Sequence, residues 1–340
     1  MTKALSHDVG SAPWVEELNK LGENRQAALF IIDFEGKSAR IWPTATLDPR
    51  ILQFNFRGVG NDLSAPPLYS IEYIQSADFP SAESYQAAFD LVAAGLQRGD
   101  SFLTNLTMPV PVDLSAPLYD LYAAAQADYR LWWRDRLACF SPETFVRVSA
   151  GGRIASYPMK GTALDNPEAR EALLSSEKEI AEHATIVDLI RNDLSSVAEK
   201  VRVDRYRYLQ RIESPRGNLL QTSSEISGEL GGDWQGRLGS ILAKLLPAGS
   251  VSGAPKSATV DIIRQAEGRD RGYYCGIAGF FDGRSFDSCV LIRLVEQLAD
   301  SSHRFWAGGG ITARSSWEDE YRELCNKVRI PRAVGSFSLH

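Results

Sequence analysis

The last third of the chain carries the strongest constraint on the fold. The stretch YYCGIAGFFDGRSFDSCVLIRLVEQLADSSHRFWAGGGIT, residues 273–312, reads as three strands joined by an Asp282-Gly283 turn and a short polar turn. Strands joined by turns this short run antiparallel, because a parallel pair needs a crossover of about a dozen residues or more. The pattern recurs elsewhere. AALFIIDF (27–34) reads as a buried strand, EGK as a turn and ARIWP (39–43) as the antiparallel return. RLACFSPETFVRVSAGGRIASYPMKGT (136–162) reads as strands meeting at a Gly151-Gly152 turn, and DSFLTNLTMPVPV (100–112) and GNLLQTSSEISGEL (217–230) as further strands.

Helices stand between these strands without a repeating βαβ period. Ser81 is a natural N-cap for a helix over 81–99 that stops at Gly99. Pro167 suits the first turn of a long helix over 167–190. Further helices are expected over GDWQGRLGSILAKLLP, after Pro255 and over 316–328, and the first 25 residues read as a polar arm and a short helix. Mixed strands and helices with hairpin-like pairs predict an α+β fold, with residues 1–340 as a single domain.

Composition removes several classes of function. With 340 residues and 44% hydrophobic content the chain can bury a large core. A net charge of −6 and the lack of a basic patch with interleaved aromatics argue against nucleic acid. The apolar runs are far too short to span a membrane. No signal-peptide pattern opens the sequence, and Cys139, Cys275, Cys289 and Cys325 are scattered with no CxxC pair. The expectation is a reduced, cytoplasmic protein without structural zinc.

Four features bear on chemistry. GSVSGAPKSA (249–258) resembles a phosphate loop but fails as one: Pro255 stands where the second glycine belongs, and it lacks an N–H. It reads as a tight loop entering a helix that can still line a site. Glu179 and Glu182 are three apart on one predicted helix, as are Glu320 and Glu323 on another. That spacing places each pair on one helix face. Two such faces across a cavity would suit Mg²⁺, although spacing alone favours solvated helix surfaces; His183 reads as a helix-packing residue or as one that supports the ligands from behind. WAGGGIT (306–312) reads as an anchored glycine loop whose amides can approach an anion. Arg293, inside the apolar run CVLIRLVE, either faces solvent or needs a carboxylate; Lys327 and Arg329 are open in the same way. Lys160, between a strand and a Gly161-Thr162 turn, joins these groups. Together they describe a metal-assisted enzyme acting on a small anion.

AEHATIVDLIRNDL, SVSGAPKSA, RGYYCGIAGFFDG, VLIR, AGGGIT and EYRELCNKV occur here in one order. This combination resembles the chorismate-utilising family of anthranilate, aminodeoxychorismate, isochorismate and salicylate synthases. The likeness covers roughly 99–331, with a weaker extension to 85–92; residues 1–80 correspond to a shortened N-terminal part and 81–331 to the motif-bearing core. The resemblance implies large layered antiparallel sheets with outer helices, Mg²⁺, and chorismate as substrate. It places metal ligands at Glu182 and Glu323, with Glu320 close by, and a general acid at Glu143 of FSPETF. It places substrate contacts at Gly161, Thr162, Gly310, Tyr274, Arg293 and Lys327.

Within the family, Pro158-Met159-Lys160-Gly161-Thr162 is similar to the aminodeoxychorismate branch, where other members read Ala-Gly-Thr. In that branch the lysine is the proposed nucleophile at ring C2. Leu103 stands where water-adding members carry a basic lysine and amine-transferring ones a glutamine. Gln221 replaces a histidine linked to pyruvate elimination. The resemblance therefore implies aminodeoxychorismate synthase component I, with ammonia supplied by a separate glutaminase subunit. Anthranilate synthase component I and a degenerate regulatory homologue are the alternatives.

Overall fold

The computed structural model describes residues 10, 12–63, 73–212 and 218–330, so most of the expected N-terminal arm, and Pro331, lie outside the described residues. The chain opens with α1 (Pro13–Glu23), β1 (Ala28–Ile32), β2 (Ala39–Pro43), β3 (Leu52–Phe56), β4 (Val59–Gly60) and β5 (Ile74–Ala77). Next come α2 (Ala82–Gln97), β6 (Leu103–Leu114), α3 (Leu118–Ala124), β7 (Tyr129–Trp133), β8 (Leu137–Ser141), β9 (Thr144–Val148), β10 (Arg153–Ser156) and β11 (Met159–Leu164). α4 (Pro167–Ser175), α5 (Glu177–Ser195), β12 (Glu199–Ile212), β13 (Leu219–Glu229) and α6 (Leu238–Leu245) follow. The chain continues with the single turn α7 (Gly249–Ser252), β14 (Gly253–Ala254), α8 (Lys256–Glu267), β15 (Ile277–Phe281), β16 (Phe286–Val290), β17 (Leu294–Gln297), β18 (His303–Ile311) and α9 (Trp317–Lys327).

These strands form two large antiparallel sheets. The first runs β11-β13-β10-β9-β16-β15-β1-β2, with β12 also on β13; the second runs β14-β6-β18-β17-β8-β7-β3-β4, with β5 also on β6. The α+β architecture expected from the hairpin pattern is the one observed. β1 is buried at all five positions between β15 and β2, as a continuous apolar run should be. Ser81 caps α2 as expected, its Oγ accepting from the Ser84 N–H at 3.2 Å.

Three local readings are corrected and one strand is added. The helix expected over 167–190 is two helices: Ser176 (φ −62°, ψ 112°) ends α4 and caps α5, accepting from the Glu179 N–H at 3.3 Å. The run CVLIRLV is not one strand. β16 ends at Val290, Arg293 takes a left-handed φ of 55°, and β17 begins at Leu294 in the other sheet. An L-residue at positive φ turns the chain sharply, so one apolar run serves two sheets. Gly308–Gly310 form no loop; they lie in β18, paired with Thr107, Leu106 and Asn105 of β6. β12, unassigned from the sequence, has three register shifts against β13, and these break the two-residue alternation that marks a strand.

One apolar cluster joins α1, α5 and α6 to the first sheet and to part of the second; another packs α2, α3, α8 and α9 on the second. Between them lies a buried ion pair. Arg271 and Glu267 side chains are 1% and 0% exposed and meet at 2.6 Å. Arg271 also donates to the Val251 carbonyl of α7 (2.8 Å) and the Asn105 carbonyl of β6 (2.7 Å), and stacks over Phe34 just after β1. Glu267 Oε1 accepts from the Thr107 N–H at 2.9 Å and its hydroxyl at 3.0 Å. Removing one charge of such a pair strands the other in low dielectric, at roughly 3–5 kcal/mol. Glu267→Gln should therefore lower the unfolding free energy, measured by urea titration, by an amount on that scale; an unchanged free energy would contradict this role.

Candidate functional site

Lys160 sits on β11 opposite Thr222 of β13, whose buried hydroxyl donates to the Lys160 carbonyl. The register shifts between Lys160 and Thr162, and Gly161 at that bulge has φ +74°. Such a bulge re-aims a side chain. A Cβ on Gly161 would stand 2.7 Å from Glu179 Oε2 and 2.7 Å from Leu173 Cδ1, so glycine is required by conformation and by space. Thr162 is exposed on β11 opposite Gln221.

Lys160 Nζ points at β18. A Cβ on Gly310 would lie 3.5 Å from Lys160 Nζ and 3.1 Å from Leu103 Cδ1. Successive residues of a strand face opposite ways, and Gly309 faces α9. A Cβ there would lie 3.1 Å from Glu320 Oε2, 3.5 Å from Glu323 Oε1 and 3.6 Å from Lys327 Nζ. Consecutive glycines thus let Lys160 approach one side of the strand and α9 the other.

Glu143, half-buried between β8 and β9, accepts a short hydrogen bond from Ser250 of α7. Burial raises its carboxyl above the usual range, against the opposing pull of Ser250, Lys160 and Lys327. The glycine-rich loop therefore does line the site, through Ser250. Its lysine does not: Lys256 is bound to Asp193 at 2.9 Å and to the Leu245 carbonyl at 2.7 Å.

Four carboxylates come from α5 and α9. Burial raises Glu179, with Glu182 and Glu323 adding repulsion and Lys178 and Lys160 opposing it. Burial also raises Glu320, which accepts from Ser315 at 2.8 Å. Burial pushes Glu323 up as well, but Lys327, 2.5 Å away, outweighs it and holds the carboxyl low. Glu182 lies 3.9 Å from Lys178. These are hard oxygen donors of the class Mg²⁺ takes, and the raised carboxyls are groups a cation would relieve. Among the described residues, however, no three His, Cys, Asp or Glu side chains are already gathered into a metal cluster. Glu179 belongs to this group although the family likeness named only Glu182, Glu320 and Glu323. Its three-residue spacing from Glu182 was the available signal.

Cationic groups gather beside α9. Arg293, at the crossover between sheets, donates to the Lys327 carbonyl at 3.0 Å and forms no ion pair among the described residues. Burial, then Arg329, lowers its pKa. Tyr274, 4% exposed, stacks on Trp306 at 5.2 Å, and burial holds its hydroxyl well above 10. Lys327 Nζ also donates to the Gly308 carbonyl at 2.7 Å. His183 is fully buried, paired with Ser224 Oγ at 2.7 Å, and pushed down to about 4 by burial first and then by Arg207 and Lys160. Two open depressions, of about 530 and 610 Å³, lie elsewhere, around the start of α4 and at the turns near Trp234.

Residues 66–333 match the family model described as chorismate binding enzyme. The chain is 48% identical over 320 residues to an uncharacterized PabA-like protein of Pasteurella multocida, covering 94% of this chain and 98% of that one. It is 39% identical over 204 residues to anthranilate synthase component 1 of Archaeoglobus fulgidus, covering 57% of this chain and 47% of that one. Among solved structures, MenF, the menaquinone-specific isochorismate synthase from Escherichia coli, superposes with a TM-score of 0.70 at 18% identity, over 92% of this chain and 79% of that one. Anthranilate synthase component I from Streptococcus pneumoniae gives 0.63 at 26% identity, over 78% and 62%. A match over most of the chain, running along the sheets and helices that assemble these charged groups, makes this a member of the chorismate binding enzyme family.

Proposed function

We propose that the chain is the component that aminates chorismate, converting chorismate and ammonia to 4-amino-4-deoxychorismate and water. The observation that carries this reading is the placement of Lys160 Nζ beside Gly310 and Leu103. An amine at that position can act as a nucleophile, and no basic side chain replaces Leu103 to activate water instead. In the proposed route the neutral Lys160 amine bonds through its lone pair to ring C2 while the 4-hydroxyl leaves with the proton of Glu143 as water. Ammonia then bonds to C4, the Lys160–C2 bond breaks, and the proton surplus on the new amine returns to Glu143. Atoms balance without an oxidant or reductant.

Other residues have supporting roles. Arg293, Lys327 and Tyr274 supply positive charge and a hydroxyl for a substrate carboxylate, with Gly161, Thr162 and Gly310 leaving room for a second. Glu179, Glu182, Glu320 and Glu323 would hold Mg²⁺, whose charge would neutralise a carboxylate of the substrate. A glutaminase subunit would deliver the ammonia. Anthranilate synthase component I is the second reading, favoured by the 39% identity to the Archaeoglobus protein; it ends in anthranilate and pyruvate.

Mass analysis of products from chorismate, Mg²⁺ and ammonium separates the two: 4-amino-4-deoxychorismate is expected, and anthranilate with pyruvate as the only products would overturn the proposal. Lys160→Ala should cut amination by roughly 10²–10⁴-fold, the scale of losing a positioned reactive group; full activity would refute the nucleophile role. A raised Glu143 pKa keeps the proton-donating form present to higher pH, and donation is lost as pH climbs through that value. At constant free ammonia, kcat/KM should fall on the alkaline side, and Glu143→Gln should be slow and lack that limb.

A further inference from the structure

Asn105 is the one residue on the Lys160 side of β6 whose chemistry is unspent. It pairs directly with Gly310 of β18. Directly opposite residues of an antiparallel pair share a face, with Cβ positions about 5 Å apart. The Asn105 side chain therefore leaves the sheet on the face where a Gly310 Cβ would meet Lys160 Nζ at 3.5 Å. Its neighbours on that face are Leu103 and Thr107. Thr107 is committed to Glu267 at 3.0 Å, and the Asn105 carbonyl to Arg271 at 2.7 Å. The side-chain amide is different: Oδ1 is shut away from bulk solvent and has no hydrogen-bond partner among the described residues. An unpaired buried polar atom costs about 1–3 kcal/mol, and native proteins keep few of them without a reason.

We infer that Asn105 is the ammonia-binding residue of the site, its side-chain carbonyl accepting an N–H of the incoming nucleophile. This rests on the amination reading above. Ammonia suits the position chemically. It has N–H groups to give to an acceptor, and its lone pair stays free to attack carbon. Unlike water, it needs no base before attack, and the adjoining Leu103 offers none. The acceptor holds one end of the molecule, and Leu103 beside it carries no group that could take a proton from water. Nothing in Asn105 is consumed; the bond made is ammonia nitrogen to ring carbon.

The inference predicts a function kept at the expense of stability. Asn105→Leu, near in volume and without polar atoms, should raise the KM for ammonium at least about tenfold, equivalent to about 1.4 kcal/mol. The KM for chorismate should stay within about twofold and the melting temperature should not fall, because the substitution removes an unpaired group. Asn105→Ser, which restores an acceptor, should recover part of the ammonium KM. An unchanged ammonium KM in the leucine variant, a rise confined to chorismate, or a variant that fails to fold would each overturn the assignment. A wild-type protein that forms no ammonium-dependent product would instead remove the amination reading, and this inference with it.

Discussion

The Arg271–Glu267 pair is the interaction on which the site depends. It ties together the α7 turn, which holds Ser250 against Glu143, and β6, which carries Leu103 and Asn105. It also reaches the segment after β1 of the first sheet through Phe34. A pair this buried is no bargain over well-packed apolar side chains. What it does supply is direction: Arg271 donates to the Val251 and Asn105 carbonyls and Glu267 accepts from the Thr107 N–H, so segments distant in sequence are held in one register. Glu143, Leu103 and the Asn105 amide are then fixed relative to one another before any ligand arrives.

A second constraint is the absence of side chains where groups crowd. Gly309 and Gly310 are flanked by α9 carboxylates on one side and by Lys160 on the other, and Gly161 leaves space for Glu179. Charged groups thereby approach the backbone closely with no side chain of these glycines in the way. Glu323 is meanwhile neutralised by Lys327, and Glu179 and Glu320 carry raised pKa values. The site is charged, compact and electrostatically tense, which is the condition expected where a charged ligand and a cation are to bind.

Much of the fold was legible because hairpins leave short-range marks. Asp282-Gly283, Gly151-Gly152 and the run at β1 signal antiparallel pairing within a few residues of sequence. The failures arose where tertiary structure decides. The left-handed turn at Arg293, the break at Ser176 and the bulged β12 all depend on which sheet or helix the next segment meets, and no local pattern records that. Among candidate site residues, Glu179, Glu182, Glu320 and Glu323 were visible as spacings and Lys160, Arg293 and Lys327 as charges in unusual settings, while Glu143 was named from its motif alone. The roles of Ser250 and Asn105 were not visible, because a serine in a glycine-rich loop and an asparagine in a strand acquire meaning only from what stands opposite them.

The central claim is that Lys160 bonds to the substrate ring during turnover, and peptide mapping of acid-quenched enzyme tests it most directly. Protein mixed with chorismate and Mg²⁺ without ammonia should gain the mass of chorismate less water on the peptide containing Lys160, and addition of ammonia should discharge it. Amination proceeding at full rate with no adduct on that peptide, or in Lys160→Ala, would contradict the account.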